Sequence, residues 1–315
     1  MEGVLSSIIN NLSFGNLTKD DNSDALMKEI KKLNGQNVNI MLVGATGVGK
    51  STTINTIFNS EVATVGYGTD PETSFLKKYS LGNLILWDTP GLGDNPDKDK
   101  EYASKIAELL KRRDESGNFL IDEVVVVLDG SSRDMKTAYE IIEGIVIPFL
   151  GDTSRMVIAI NQCDMGMKGR YWNYDLCKPE PQLIEFMEKK VLSVSDRIRE
   201  NMSVETRPVY YSALYKYNIS KLLLLMLKSI PETKRYLAVD YLNRNPEIWK
   251  KNDDIEDYNL EIKEEVKGSL LTALSGAAKG AVAGATVGNL IPVIGPVIGA
   301  AVGAALGFLG GLIEG

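Results

Sequence analysis

At 315 residues, 44% hydrophobic and 24% charged, the chain can build one large domain, or a domain of about 200 residues plus an appendage. A formal net charge of −7 disfavours a basic nucleic-acid-binding surface, so no nucleic-acid partner is expected. The chain has no histidine, which excludes His-based triads, His metal ligands and His general bases.

Only two cysteines occur, Cys163 and Cys177, without metal-ligand spacing, which reads as a reduced, cytoplasmic protein. The first residues, MEGVLSSIINNLSFGN, lack a basic n-region and do not read as a secretory signal. Next, SDALMKEIKKL reads as a capped amphipathic helix inside a polar entry. From there strands and helices alternate. VNIMLVG (38–44) is a strand, and a helix opens at Lys50. NLILWD (83–88) is a strand, followed by a helix over 98–113. IDEVVVVLDG (121–130) is a strand with a helix to about Phe149. RMVIAIN (155–161) precedes a helix near 182–201, and RPVYYSA (207–213) precedes one over 219–229. Apolar strands alternating with helices predict an α/β fold, a mostly parallel sheet with helices on both faces.

The expected organisation is an N-terminal helical and polar extension (1–35), an α/β domain (36–230), a charged connector (231–268) and a C-terminal α-helical glycine-rich hairpin (269–315). In the last segment glycines recur at 276, 280, 284 and 288, then at 295, 299, 303, 307 and 311. Each glycine inside a water-exposed helix costs about 1 kcal/mol relative to alanine. A four-residue period therefore implies that the groove it makes is used, as in small-xxx-small helix packing. Pro292 and Pro296 divide the segment into two arms. An arm of 21 residues spans about 31 Å, close to one bilayer core. Two environments suit such a hairpin: a membrane, or water with the hairpin packed on the α/β domain or on a second protomer. Alanine and glycine are weakly hydrophobic and Lys279 lies in the first arm, so both stay open.

The chemistry resides in four short motifs, each at the end of a predicted strand. GATGVGKS, from Gly44, Ala45, Thr46, Gly47, Val48 and Gly49 to Lys50 and Ser51, fits G-x-x-x-x-G-K-[ST] between a strand and a helix. Glycines let backbone N–H groups turn toward phosphates, and the helix N-terminus adds its dipole. Lys50 would reach the β- and γ-phosphates, the Ser51 hydroxyl would ligate Mg²⁺, and Thr52 extends the loop. In WDTPG, Asp88 can hold Mg²⁺ through water and the Gly91 N–H can sense the γ-phosphate. In NQCD, spanning Asn161 and Gln162 to Asp164, the carboxylate can accept from guanine N1–H and the exocyclic amine, selecting guanine over adenine. In YSAL, the Ser212 and Ala213 backbone N–H groups can face guanine O6.

Together these motifs resemble P-loop GTPases of the translation-factor-related class, in particular Era-like G domains of the YfjP-like bacterial group, over roughly residues 36–230. The resemblance implies GTP/GDP and Mg²⁺ as ligands, with GTP hydrolysis as the activity. It also implies a Mg²⁺-binding threonine in the loop VGYGTDPETSFLKKY. Thr69 and Thr73 are the candidates, and Thr73 is preferred because it precedes a strand-like stretch. Lys50, Thr73 and Gly91 are then the expected catalytic positions, with Ser51, Thr73 and Asp88 around the metal.

Three departures matter. Gln162 replaces the lysine of N-K-x-D, which predicts weaker guanine binding. Gly47 replaces the asparagine of potassium-activated relatives. Leu92 follows the DTPG motif where other GTPases carry a water-positioning glutamine, so slow intrinsic hydrolysis is expected unless a partner completes the site. Asp94, Arg112 and Arg113 read as surface residues rather than catalytic ones. The insertion MGMKGRYWNYDLCKPEPQ (165–182) reads as an anchored loop, with a partner surface as the alternative. The leading functional expectation is a nucleotide switch coupled to a membrane-active or self-associating hairpin. A ribosome- or RNA-assembly factor, as some Era-like relatives are, and a pore-forming effector gated by a G domain are the alternatives.

Overall fold

The computed structural model describes residues 28–33, 35–58, 64–67, 76–93, 95–114, 117–252 and 258–282. Residues 1–27 and 283–315, together with Thr69, Thr73 and Asp94, lie outside the described residues, so most of the expected glycine hairpin and the switch threonine do too.

After a helical stretch over 28–33 (α1), the chain enters β1 (Val38–Gly44), whose seven residues are all buried. A strand buried on both faces needs no polar alternation, which is why VNIMLVG carries a nearly continuous apolar run. Then follow α2 (Lys50–Ile57), β2 (Thr64–Tyr67), β3 (Lys77–Leu81), β4 (Leu84–Asp88) and α3 (Pro96–Lys111). β5 (Glu123–Asp129) leads into α4 (Lys136–Ile141), a π-helical turn over Ile142–Val146 and α5 (Ile147–Leu150). β6 (Met156–Asn161), a small hairpin of β7 (Trp172–Asn173) and β8 (Lys178–Pro179), α6 (Pro181–Met202), β9 (Val209–Tyr210), α7 (Ile219–Ser229), α8 (Arg235–Val239) and α9 (Tyr258–Val282) complete the order.

The main sheet runs β2-β3-β4-β1-β5-β6-β9. β1 pairs in parallel with β4 on one side and β5 on the other, and β5-β6-β9 continue in parallel. β2 is an antiparallel addition that the expected helix–strand alternation did not include, and β3, in the stretch expected to be strand-like, also pairs antiparallel. Chain order reverses at β1, so a crevice opens beyond its carboxyl end, where ligands bind in open α/β sheets. Two apolar clusters cover the two faces. One contains Leu42, Ile54, Val125 and Leu222, and the other Met41, Val126, Ile142 and Leu183.

The segment expected to be a charged connector with some helix packs on the first apolar cluster. Tyr236, Leu237, Val239, Leu242, Ile248 and Trp249 are all buried in the first cluster. α9 runs without interruption through residues 268 and 269, the expected connector–hairpin boundary. Its face formed by Tyr258, Ile262, Val266, Leu270, Leu274 and Ala277 joins the same core. This one-sided spacing is an amphipathic helix whose apolar stripe is narrow among many charges, which hid it from the periodicity. Arg235 and Lys228 tie α9 down through Glu265 and Glu261. Gly276, by contrast, is exposed, and a Cβ there would meet nothing within 4 Å. The first glycine of the stripe thus lies off the core-facing side. Among the described residues, no helix is long and apolar enough to cross a membrane.

At the opposite end of the sheet from the crevice, Glu123 is fully buried. Its Oε1 accepts from Ser229 Oγ at 2.6 Å, and its Oε2 has no hydrogen-bond partner among the described residues. Burial, with the neighbouring Asp122 carboxylate adding, pushes its pKa well above the ordinary 4.5. Asp122 itself is paired with Lys234 at 2.8 Å. The folded chain therefore holds a proton that the unfolded chain releases above about pH 4.5, so Glu123 lowers stability as pH rises through that range. Glu123→Gln keeps an acceptor for Ser229 and removes the titration. Above about pH 4.5, its stability should fall less steeply with pH than that of wild type, because only the wild-type folded chain holds the extra proton. Urea unfolding across pH measures this, and parallel slopes for the two proteins would refute it.

Candidate functional site

The predicted motifs converge at the carboxyl ends of β1, β4, β6 and β9. After β1 the chain turns sharply through Gly47 (φ 79°) and Gly49 (φ 91°), left-handed conformations that favour glycine. Space is tight at Gly49 alone of the two, where a Cβ would lie 2.4 Å from Asn161 Nδ2. The turn is braced from β4: Thr46 N donates to Leu92 O at 3.1 Å, and Leu92 N donates to Gly44 O at 3.3 Å. At Gly91, a Cβ would sit 2.2 Å from Thr46 Oγ1, so the two loops approach as closely as only glycine allows.

Lys50, the first residue of α2, folds back so that Nζ donates to Gly44 O and Ala45 O, each at 3.0 Å. Its ammonium is thus held at the mouth of the loop rather than trailing into solvent. Ser51 Oγ donates to Asp88 Oδ2 at 2.6 Å. Asp88 Oδ1 is buried and has no hydrogen-bond partner among the described residues. An orphaned buried carboxylate oxygen is costly unless a ligand satisfies it. A hydroxyl and a carboxylate side by side, with one oxygen uncommitted, are hard oxygen donors of the type that suits Mg²⁺ and its waters. Thr46, Gly47, Gly49, Lys50, Ser51, Thr52, Asp88, Thr89, Pro90 and Gly91 line a cleft of about 470 Å³. Lys77, on β3 opposite Asp88 in the ladder, also lines it. Nothing in the sequence singled out Lys77, since its place opposite Asp88 depends on an antiparallel register. A larger groove of about 640 Å³ lies on the solvent face of α6 and involves none of these loops.

The base-side motifs are braced to the same loop. Asn161, at the end of β6, donates from Nδ2 to Val48 O at 2.9 Å and accepts from Ala213 N at 3.0 Å. Gln162 takes up φ 59° and donates from Nε2 to Gly47 O at 2.9 Å, so it spans to the phosphate loop despite being no lysine. Asp164 is 4% exposed, and no hydrogen bond among the described residues engages its carboxylate. Ser212, fully buried, pairs its backbone with Tyr217. Over the insertion, Trp172 is buried against Tyr215 (centroids 5.3 Å apart) and Tyr217 (5.7 Å), which anchors the loop. Tyr171 and Tyr174 remain exposed.

Leu92 is buried in the core, so its side chain faces away from the cleft. Arg113 donates to Gly117 O and covers the Phe119 ring, ahead of β5 and far from the carboxyl ends of the strands.

Residues 39–162 match the family described as 50S ribosome-binding GTPase. With the sheet order and the glycine-braced phosphate loop, this region has the fold of a P-loop GTPase G domain. Among curated proteins, the chain is 34% identical over 95 residues to the uncharacterized protein YkfA of Escherichia coli (strain K12), covering 29% of this chain and 33% of YkfA. It is 38% identical over 76 residues to septin-8 of Xenopus tropicalis, covering 22% of this chain and 18% of the septin. The chain thus spans a third or less of the curated relatives' length. Among solved structures, it resembles the G domain of the T. maritima FeoB iron transporter at 15% identity and a TM-score of 0.39, covering 62% of this chain and 99% of that one.

Proposed function

We propose that this chain is a Mg²⁺-dependent GTPase that switches between GTP- and GDP-bound states and signals the state through its C-terminal glycine-rich segment. The observation that carries this reading is the convergence of the four motifs on one cleft, with Asn161 and Gln162 bonded to the phosphate loop. Lys50 neutralises the β- and γ-phosphates, while the loop from Gly44 to Thr52 supplies backbone N–H donors. Ser51 and Asp88, together with Thr73 from the preceding loop, would hold Mg²⁺, which would supply positive charge beside the phosphates. The Gly91 N–H reports the γ-phosphate to the segment leading into α3, whose Asp99 accepts from Gly93 N at 3.0 Å. Asp164 accepts from guanine beside the Ser212–Ala213 segment, whose backbone N–H groups, expected to face the guanine O6, donate instead to Tyr217 O at 3.1 Å and Asn161 Oδ1 at 3.0 Å. With Leu92 turned into the core, the chain offers no side chain there to aim a water, so hydrolysis is slow until a partner or second protomer contributes one. Phosphate release from GTP, dependent on Mg²⁺ and absent with ATP, is the direct test.

The coupled output is a glycine-rich hairpin that inserts in a membrane or self-associates. It is best probed by truncation, and α9 dictates where to cut. A chain ending at 268 would strip Leu270, Ala273, Leu274 and Ala277 from the core, whereas one ending at 282 keeps them. Each lost leucine would remove about 1.5–3 kcal/mol of burial. The 1–282 chain should stay folded and bind GDP with unchanged affinity. It should lose the co-sedimentation with liposomes, or the self-association, that the full chain shows with a GTP analogue. Equal sedimentation and equal oligomeric state for the two chains would overturn the hairpin as the output.

A further inference from the structure

Tyr211, the residue after β9, lies where three of the proposed nucleotide-contacting loops meet. Its side chain is fully buried, and its Oη lies 2.6 Å from Thr53 Oγ1 in the first turn of α2. Thr53 Oγ1 in turn donates to Gly49 O, the last glycine of the phosphate loop, at 2.9 Å. With the threonine proton committed there, the phenol is the donor in the pair. Burial raises the phenol's pKa far above its ordinary 10, so it remains a neutral donor. The Tyr211 backbone carbonyl accepts from Cys163 N at 3.1 Å, next to Asp164, and its N–H extends the sheet by donating to Ile160 O at 2.9 Å. One turn along α2, Thr56 Oγ1 lies 3.2 Å from Ala213 O. One residue therefore joins the phosphate-loop helix, the N-Q-C-D loop and the S-A loop. Phenylalanine would fill the same volume, so the hydroxyl is not needed for packing.

We propose that Tyr211 is a positioning residue for the base: through Thr53 it locks the 211–213 segment, whose Ala213 N–H donates to Asn161 Oδ1 at 3.0 Å, to the phosphate loop, and so sets the place of the loops that face the guanine. This inference rests on the GTP-binding reading above. It separates two properties that a merely structural tyrosine would change together, grip on the base and grip on the phosphates.

The test compares GDP with Mg²⁺-pyrophosphate, a probe that carries the phosphates without a base, by calorimetry on the full chain. Tyr211→Phe should weaken GDP by about three- to tenfold, the range expected for one buried hydrogen bond, and leave pyrophosphate unchanged. Thr53→Val should do the same, the double variant should lose no more than either single one, and Thr53→Ser should restore wild-type GDP affinity. Unchanged GDP affinity in Tyr211→Phe, a matching loss for pyrophosphate, or additive losses in the double variant would each overturn the proposal. A wild-type chain that binds pyrophosphate but not GDP would instead bring down the GTP-binding reading and this inference with it.

Discussion

Lys50→Ala should abolish nucleotide binding, raising the Kd for GDP and GTP by at least about 100-fold, while leaving the fold intact. The ammonium is fixed by Gly44 O and Ala45 O at 3.0 Å each, so it presents a preorganised charge to the phosphates. Removing one partner of a desolvated, charge-assisted contact costs about 2–5 kcal/mol, which sets the scale of the loss. The folding penalty is smaller. The two carbonyls left behind border an open cleft, where water can replace the ammonium. Calorimetric titration with GDP, paired with circular dichroism, separates the two effects. A folded variant that keeps wild-type affinity would show that Lys50 does not face the phosphates.

A change of base preference should follow from Asp164→Asn. In the proposed site the carboxylate accepts from guanine's two donors, whereas an amide can donate toward the carbonyl that xanthine carries in place of the exocyclic amine. The substitution is isosteric, and no hydrogen bond among the described residues engages the carboxylate, so the fold should not notice it. GTP affinity should drop by roughly 100-fold or more, because a site built to pair with a donor is left mismatched. XTP binding should rise until it exceeds GTP binding. Competition between the two nucleotides measures this directly, and an unchanged GTP-over-XTP margin would remove Asp164 from the base site.

Both variants target residues that were legible as sequence, because the motifs sit beside strands whose apolar runs announce themselves. Other features were not legible. Lys77 belongs to a strand read only as strand-like, and its position in the cleft follows from the register that sets it opposite Asp88. Gln162 read only as a loss relative to lysine, and its positive φ and its bond from Nε2 to Gly47 O became visible only in the fold. Tyr211 looked like part of an apolar strand, and only folding brings Thr53, 158 residues away, to its hydroxyl.

By itself, the sequence determined the α/β class, the order of the strands that carry the motifs, and the glycines at 47, 49 and 91, since these follow from local periodicity and backbone sterics. Only the tertiary structure decided that 231–252 and α9 belong to the core, because Tyr258, Ile262, Val266 and Leu270 form a narrow stripe that matters only against a neighbouring surface. It likewise decided that Leu92 turns inward and that Glu123 is buried without charge compensation. Burial and register are properties of which segments meet, and no local pattern of residue types encodes them.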